Sequence, residues 1–358
     1  MLESLGWNSA RQAEFEPFQR LGQVPGRVCL EHNHVFRLMT AAGELLAEVA
    51  GRVKYAATGR RDLPAVGDWV AVKVDPSGSR ATITAILPRR TSFSRKAAGR
   101  ETEEQVIAAN VDVVLLVFGL DKPENPRAVE RYLVVARRSG ATPVIVLNKA
   151  DLQPDPGALA QAVATITDVS GGAPVHAVSA RGHDGAVALE PYLAPGVTLA
   201  LLGPSGVGKS SLVNRLIGAD LLQTGDVRDW DQRGRHTSVH RQLVVRPLGG
   251  LIVDTPGMRE LQLWDSDEQL DETFAGIVAL AADCRFRDCQ HDREPGCAVK
   301  AAVDAGTLPE DRYAHYLQLR GEHAATEKLR DARALQDEKR RARVQGKALK
   351  AMQKSRDR

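Results

Sequence analysis

Residues 148–151 read Asn-Lys-Ala-Asp and residues 203–211 read Gly-Pro-Ser-Gly-Val-Gly-Lys-Ser-Ser. The order of these two stretches constrains the fold of the 358-residue chain more than any other feature. The second stretch fits the pattern G-x-x-x-x-G-K-[ST], after a strand-like run and before a helix-like one. Its glycines let backbone N–H groups turn toward phosphates, and the helix N-terminus that follows adds its dipole. Alone, it specifies a nucleoside triphosphate and no particular base. The first stretch reads the base. The Asp151 carboxylate accepts from the N1–H and exocyclic amine of guanine, where adenine offers no matching donors. Asn148 addresses the O6/N7 edge, and the aliphatic stem of Lys149 covers the base plane. Ser179-Ala180, after the next strand, adds an Ala180 backbone N–H toward O6. Ordinary GTPases carry the phosphate loop first and the base-reading tetrad near the end. Here the order is reversed, so the same site is built from a chain opened at a different point.

The remaining nucleotide contacts fall in chain order. Gly203, Pro204, Ser205, Gly206, Val207, Gly208, Lys209, Ser210 and Ser211 form the phosphate cradle, with Lys209 reaching the β- and γ-phosphates and the Ser210 hydroxyl on Mg²⁺. Asp254-Thr-Pro-Gly257 ends a strand-like run. Asp254 is expected to hold Mg²⁺ through a water, and the Gly257 amide to sense the γ-phosphate. Between them lies Gly234-Arg-His-Thr-Ser238, where Thr237, with Ser238 second, is the expected Mg²⁺ and γ-phosphate sensor. Loss of the γ-phosphate would release both segments. Met258 follows Gly257 where many signalling GTPases place a water-orienting glutamine, and methionine cannot orient water. Hydrolysis then needs another group, or a partner that completes the site. His236 is the candidate, the alternative being an exposed loop histidine.

Cys284-x₄-Cys289-x-His291-x₅-Cys297 places three thiols and an imidazole within one short stretch, a set suited to a structural, tetrahedral Zn²⁺ with no open position. Cys29 stands apart in a strand-like run and is expected to be a buried apolar side chain.

Net charge is unevenly spread. Residues 21–100 hold 13 Lys/Arg against 6 Asp/Glu, residues 101–320 hold 21 against 30, and residues 321–358 hold 12 against 6. Basic ends around an acidic middle suit a nucleic acid gripped at both ends; mere solubility is the alternative. Aromatic residues make up 4% of the chain, so phosphate and shape contacts are expected to outweigh base stacking. The longest apolar run, Val113–Leu120, is too short for a bilayer, and Glu3, Glu14 and Glu16 stand where a secretory signal needs basic residues. The expected location is cytoplasmic, with no membrane partner.

The fold class expected is α/β: a doubly wound, circularly permuted P-loop GTPase domain with an N-terminal β-barrel and a C-terminal helical zinc-knuckle domain. Residues 1–20 read as a loosely held extension. Five short strand-like runs in 21–95 suggest an OB-fold, with an SH3-like barrel the alternative. Residues 89–105 read as a basic link, 105–262 as the GTPase domain, 263–325 as the zinc-binding helical domain, and 326–358 as an exposed basic tail.

On these motifs the chain resembles the RsgA (YjeQ) family of circularly permuted, small-ribosomal-subunit-dependent GTPases, from about residue 21 to 320. The residues that carry the likeness are Pro64-Ala-Val-Gly-Asp-Trp, the permuted order of Asn148–Asp151, Gly203–Ser211, Gly234–Ser238 and Asp254–Gly257, and the Cys284–Cys297 knuckle. The resemblance implies an OB-fold barrel, an apolar residue such as Met258 after Gly257, and a role in hydrolysis for the histidine matching His236. It further implies a monomeric late factor of small (30S) subunit maturation that turns GTP into GDP, is stimulated by the subunit and binds its rRNA. Two other readings stay open: a nucleotide-gated RNA-binding protein with incidental hydrolysis, and a GTPase for another ribosomal or protein partner.

Overall fold

The computed structural model describes residues 2–32, 34–76, 78–96, 104–123, 125–181, 185–218, 242–254, 271, 273–291 and 294–321. The chain divides into two compact units, Met1–Gln262 and Leu263–Arg358.

The first unit begins with a turn of 3₁₀ helix at Glu3–Leu5 and helix α1 (Ser9–Gln19), whose N-cap Asn8 accepts a hydrogen bond from the Arg11 amide. Strands β1 (Val24–His32), β2 (Val35–Thr40), β3 (Gly43–Val49), β4 (Trp69–Val74) and β5 (Arg80–Ile86) follow, with the short helix α2 (Gly51–Ala56) between β3 and β4. They pair in the order β1-β2-β3-β5-β4, and β4 returns to β1. Only the β3–β5 pair is parallel. That closed, Greek-key order is an OB-fold barrel, which settles the choice left by strand count alone. Its interior is filled by Val28, Phe36, Leu38, Val70, Val72 and Ile83. Burial pushes the Cys29 thiol up to about 12, so it stays neutral and acts as packing.

Residues 89–105 are more than a link. Strands β6 (Ser92–Lys96) and β7 (Glu104–Ala109) form an antiparallel ribbon. Arg89, counted as part of a basic surface, instead forms a two-pronged pair with the buried Asp68 at 2.8 and 2.7 Å.

The chain then alternates strand and helix: β8 (Val113–Gly119), α3 (Pro126–Ser139), β9 (Thr142–Asn148), α4 (Pro156–Val169), β10 (Val175–Ala177), β11 (Thr198–Leu202), α5 (Lys209–Ile217), β12 (Gln242–Val245) and β13 (Leu251–Asp254). Helix α3 shows why these boundaries fall where they do. Asn125 caps its first turn, Pro126 presets the first helical residue, and Gly140 ends it in the left-handed region. The face bearing Val129, Leu133, Val134 and Ala136 is buried. Strands β10-β9-β8-β11-β13 are parallel, and β12 is an antiparallel edge that also meets β1 of the barrel. After running outward through β8, β9 and β10 the chain returns past both to lay β11 against the free side of β8. The crevice between β8 and β11 is therefore a topological switch point, where open α/β sheets bind ligands.

Residues 1–20 are not a loose extension, because Leu5 and Phe15 are buried and Trp7 meets Trp69 edge-on at 4.8 Å. Beneath them lies a buried polar junction. Arg27 of β1 donates to the carbonyls of Leu5 and Asn110 and, at 2.7 Å, to Thr198 Oγ1 at the start of β11. Arg11 of α1 donates to Asn110 Oδ1 at 2.6 Å, and Asn110 Nδ2 donates to the Gly67 carbonyl at 3.1 Å. Burial lowers the pKa of Arg27 to about 10, which leaves it charged at neutral pH. One set of side chains thus fixes the N-terminal helix, the barrel and the central sheet together.

The second unit is helical where described: α6 (Ala275–Ala281), α7 (Ala298–Asp304) and residues 310–321. Phe274 meets the rings of His315 and Tyr316, centroids 5.8 and 5.4 Å away, and Ile277, Val299 and Leu319 are buried in the same unit. The basic tail read over 326–358 lies outside the described residues.

Replacing Arg27 with Met should destabilise the first unit by about 3 kcal/mol, since it strips three buried acceptors of their donor. Urea denaturation followed by tryptophan fluorescence measures it, and a midpoint equal to wild type would mean the junction is dispensable.

Candidate functional site

The C-terminal ends of the parallel strands bring the separated motifs together. Gly119 at the end of β8 pairs with Asn148 at the end of β9, and β11 delivers Gly203 beside them. The loop after β11 passes so close to β8 that a Cβ on Gly203 (φ 146°) would lie 2.1 Å from the Val117 carbonyl oxygen. Gly208 (φ 90°) turns the loop into α5, and a Cβ there would strike the Asn148 side chain at 2.4 Å. Only glycine fits either place.

Asn148 is the centre of the arrangement. Its amide nitrogen donates to the Val207 carbonyl at 2.8 Å, and its oxygen accepts from the Ala180 N–H at 3.1 Å. A single side chain, 1% exposed, therefore ties together the tetrad, the phosphate loop and the Ser179-Ala180 turn. One donor and one lone pair of this carboxamide are engaged by protein, so Asn148 positions the loops while its second N–H stays available to a ligand. Ser179 Oγ donates to Asp151 Oδ1 at 2.6 Å, leaving the second carboxylate oxygen of Asp151 for a base. Lys209 curls over the loop to donate to the Gly203 carbonyl at 2.7 Å and to that of Pro204. Ser210 and Ser211 lie in the first turn of α5, with Pro204, Ser205 and Gly206 exposed at the loop rim. Asp254 closes β13, with its backbone opposite Gln242 of β12. His236, Thr237, Ser238, Gly257 and Met258 lie outside the described residues.

Sequence reasoning missed Asp121. Its carboxylate receives the Lys149 ammonium at 2.7 Å, and that hydrogen bond holds its pKa below the usual range. Lys149 takes a left-handed backbone (φ 65°) to reach it. The same turn is stitched to the tetrad by Leu120 N–H on the Asn148 carbonyl and by Gln153 Nε2 on the Leu120 carbonyl. The only local signal was an acidic residue just beyond a buried strand.

In the second unit Cys284, Cys289, His291 and Cys297 converge, their ligand atoms all within 4.8 Å of one another. Cys284 Sγ lies 3.8 Å from Cys297 Sγ, and His291 Nδ1 lies 3.6 Å from both sulfurs. A tetrahedron with ordinary Zn–S and Zn–N bonds has edges of about 3.8 Å (S···S) and about 3.6 Å (S···N), so the donor set fits zinc. Burial, helped by Arg320, lowers the pKa of His291 and keeps its imidazole neutral, as a metal ligand must be. Against the raising effect of burial, the N–H groups of Val299 and Ala298 pull the Cys284 thiol below its ordinary value, favouring thiolate. The Tyr313 hydroxyl donates to the His291 carbonyl and braces the left-handed turn there (φ 64°).

With this geometry in place, residues 86–264 match the family described as RsgA GTPase. The chain belongs to that family. It is 50% identical over 332 residues to the small ribosomal subunit biogenesis GTPase RsgA of Opitutus terrae, covering 90% of each chain. To the RsgA 2 protein of Lactiplantibacillus plantarum it is 44% identical, covering 88% of each. Among solved structures, YjeQ from Thermotoga maritima superposes with a TM-score of 0.63 at 29% identity, over 84% of this chain and 99% of that one. YloQ, a circularly permuted GTPase, gives 0.61 at 25% identity, over 85% and 96%. Membership in the RsgA family makes the chain a GTPase, with guanine nucleotide as its ligand class.

Asn148→Ala leaves the Val207 carbonyl and the Ala180 N–H without their partner, so the affinity for a fluorescent GDP should fall by about tenfold or more. An unchanged affinity in a titration would remove Asn148 from its central position. The purified protein should carry one zinc per chain by elemental analysis, and Cys297→Ser or a chelator should abolish the melting transition of the second unit. Because protons compete for the thiolates, zinc retention should be complete at high pH and be lost as pH falls.

Proposed function

We propose that this RsgA-family chain is a late maturation factor of the small ribosomal subunit, cytoplasmic and monomeric, whose GTP hydrolysis is completed on the subunit and coupled to release. The observation that carries this reading is the Asn148 bridge, which assembles a guanine-nucleotide site from a permuted chain. The names of the relatives supply the subunit as the partner.

Within the site, Asp151 reads the guanine N1–H and amine while Ser179 holds its other oxygen. Lys149, steadied by Asp121, lays its stem along the base. Lys209 exchanges its loop carbonyls for the β- and γ-phosphates, as the charge of a triphosphate is the stronger acceptor. Ser210, Asp254 and Thr237 are the residues that would hold Mg²⁺, which when bound neutralises charge on the phosphates. Gly257 reports the γ-phosphate. With Met258 beside it, water must be oriented by another group, and His236 is the residue proposed for that step. A site missing its water-orienting group turns over slowly alone, which is why the subunit is placed in the mechanism. Cys284, Cys289, His291 and Cys297 would hold a structural zinc that keeps the second unit folded as an rRNA-contacting module alongside the barrel. No described helix is long and apolar enough to cross a membrane.

Phosphate release from GTP should rise by at least about tenfold when purified small subunits are added, and not with large subunits or with ATP. Equal rates in every mixture would overturn the ribosome-dependent reading. His236→Ala should lower the stimulated rate while leaving GDP affinity unchanged. Lys209→Ala should abolish turnover; remodelling of rRNA that survives it would favour a nucleotide-gated RNA-binding protein.

A further inference from the structure

The segment joining β3 to β4 carries a feature that neither the barrel nor the nucleotide site uses. Tyr55 of α2 is 93% exposed, more than any other large hydrophobic side chain among the described residues. A ring so fully presented to water keeps both of its faces open to a ligand. Its position is enforced rather than accidental. Val53 packs into the barrel core, and at 3.6 residues per turn a residue two positions on points to the opposite side. Helix α2 is itself pinned by the Ala50 N–H on the Ile83 carbonyl at 2.9 Å.

The loop beyond Tyr55 is equally fixed. The Asp62 carboxylate accepts from the Thr58 N–H at 2.8 Å and from its hydroxyl at 2.7 Å. Arg89 donates to the carbonyls of Arg61 at 2.6 Å and Leu63 at 2.7 Å while gripping the buried Asp68. This braced segment also carries Arg52, Lys54, Arg60 and Arg61, all exposed, with Arg61 3.5 Å from Glu104 Oε2 and Arg52 donating to the Thr84 carbonyl at 3.4 Å. Asp62 is the single acidic residue of 51–63, and its carboxylate is turned onto Thr58. A lone flat ring and four exposed cations on one rigid loop are the pairing that unpaired nucleic acid needs, a face for one base and charges for the phosphates on either side. The other exposed aromatic ring among the described residues, Phe286 of the knuckle, lacks this setting. Arg285 already lies over it at 5.5 Å, and the surrounding knuckle sequence balances its charges.

We infer that Tyr55, with Arg52, Lys54, Arg60 and Arg61, forms a binding site for an unpaired RNA nucleotide, the ring stacking on the base and the cations holding its backbone. This rests on the proposed rRNA partnership but names the element that reads single-stranded RNA. It also qualifies the expectation that stacking is unimportant in a chain so poor in aromatics. One fully presented ring suffices for one splayed base.

The test uses the full-length protein and two ligands: a short unpaired RNA of mixed sequence carrying a fluorescent purine, and purified small ribosomal subunits. Tyr55→Leu keeps apolar bulk but loses the flat face, and should weaken RNA binding about tenfold and dequench the purine; Tyr55→Trp should restore both. Lys54→Gln should lower the slope of log affinity against log salt by about one. Equal melting midpoints establish that the variants are folded. RNA binding by Tyr55→Leu equal to wild type overturns the inference, and a loss confined to subunit binding would assign the loop to a protein partner instead. Wild-type protein that binds the RNA but not the subunit leaves this site standing and removes the proposed subunit partner; wild-type protein that binds neither removes both.

Discussion

A buried carboxamide holds this enzyme's site in one piece. A permuted chain meets a problem that an unpermuted one does not. The loops that must surround one nucleotide leave the sheet from strands formed in a different order, with nothing in the local sequence to set their spacing. Asn148 answers it with both ends of one side chain, fixing the phosphate loop through Val207 and the turn after β10 through Ala180. The Val207 bond is buried and the Ala180 bond partly so, and losing either leaves a group of this 1% exposed carboxamide unsatisfied. Gly208 is glycine for the same reason, since a side chain there would occupy the space of that carboxamide. On the proposed function the tetrad has two tasks: Asp151 would select the base, and Asn148 holds together the loops around it.

Permutation leaves the spatial order of the strands untouched and relocates only the long crossing. The return from β10 to β11 spans β9 and β8, and it runs through the 3₁₀ turn Val187–Leu193, whose Leu189 and Leu193 are buried. The crossing lays β11 directly against β8, which puts the mouth of the crevice between their C-terminal ends at the switch point. Asp121 sits at that mouth because β8 ends there. Its role is a consequence of topology, which explains why no motif announces it.

The sequence was most legible where one residue type has one physical use. The phosphate loop, the base-reading tetrad and the Cys/His knuckle demand particular atoms at particular spacings, and strands buried on both faces, such as β8 and β9, read as unbroken apolar runs. Legibility failed where meaning depends on a distant partner. Nothing within residues 1–20 says that Trp7 meets Trp69 or that Arg11 reaches Asn110. Arg89 looked like surface charge because the Asp68 it serves lies 21 positions earlier. Strand β12 is four residues long with one buried apolar side chain, too little for a periodic signal. The positioning role of Asn148 was not legible, because Val207 and Ala180 are remote from it in the chain.

Strand β12 also explains how a barrel could respond to the nucleotide. Gln242 stands opposite Asp254 across the β12–β13 pair and opposite Leu30 of β1 on the other side. The strand end that bears a proposed Mg²⁺ residue is thus separated from the barrel by the width of one strand, about 5 Å on each side. Backbone hydrogen bonds across a sheet tolerate little stretching, so a displacement of the Asp254 end must either break the Leu30 pairing or carry β1 with it. Three residues earlier in β1, Arg27 grips Thr198 at the base of the strand leading into the phosphate loop. The barrel is therefore attached to the central sheet at two points of one strand, rigidly through a buried charge near the base of β11 and by a single residue pair beside Asp254. Of the two attachments, the single pair is the weaker, and it is the one placed where loss of a γ-phosphate would act.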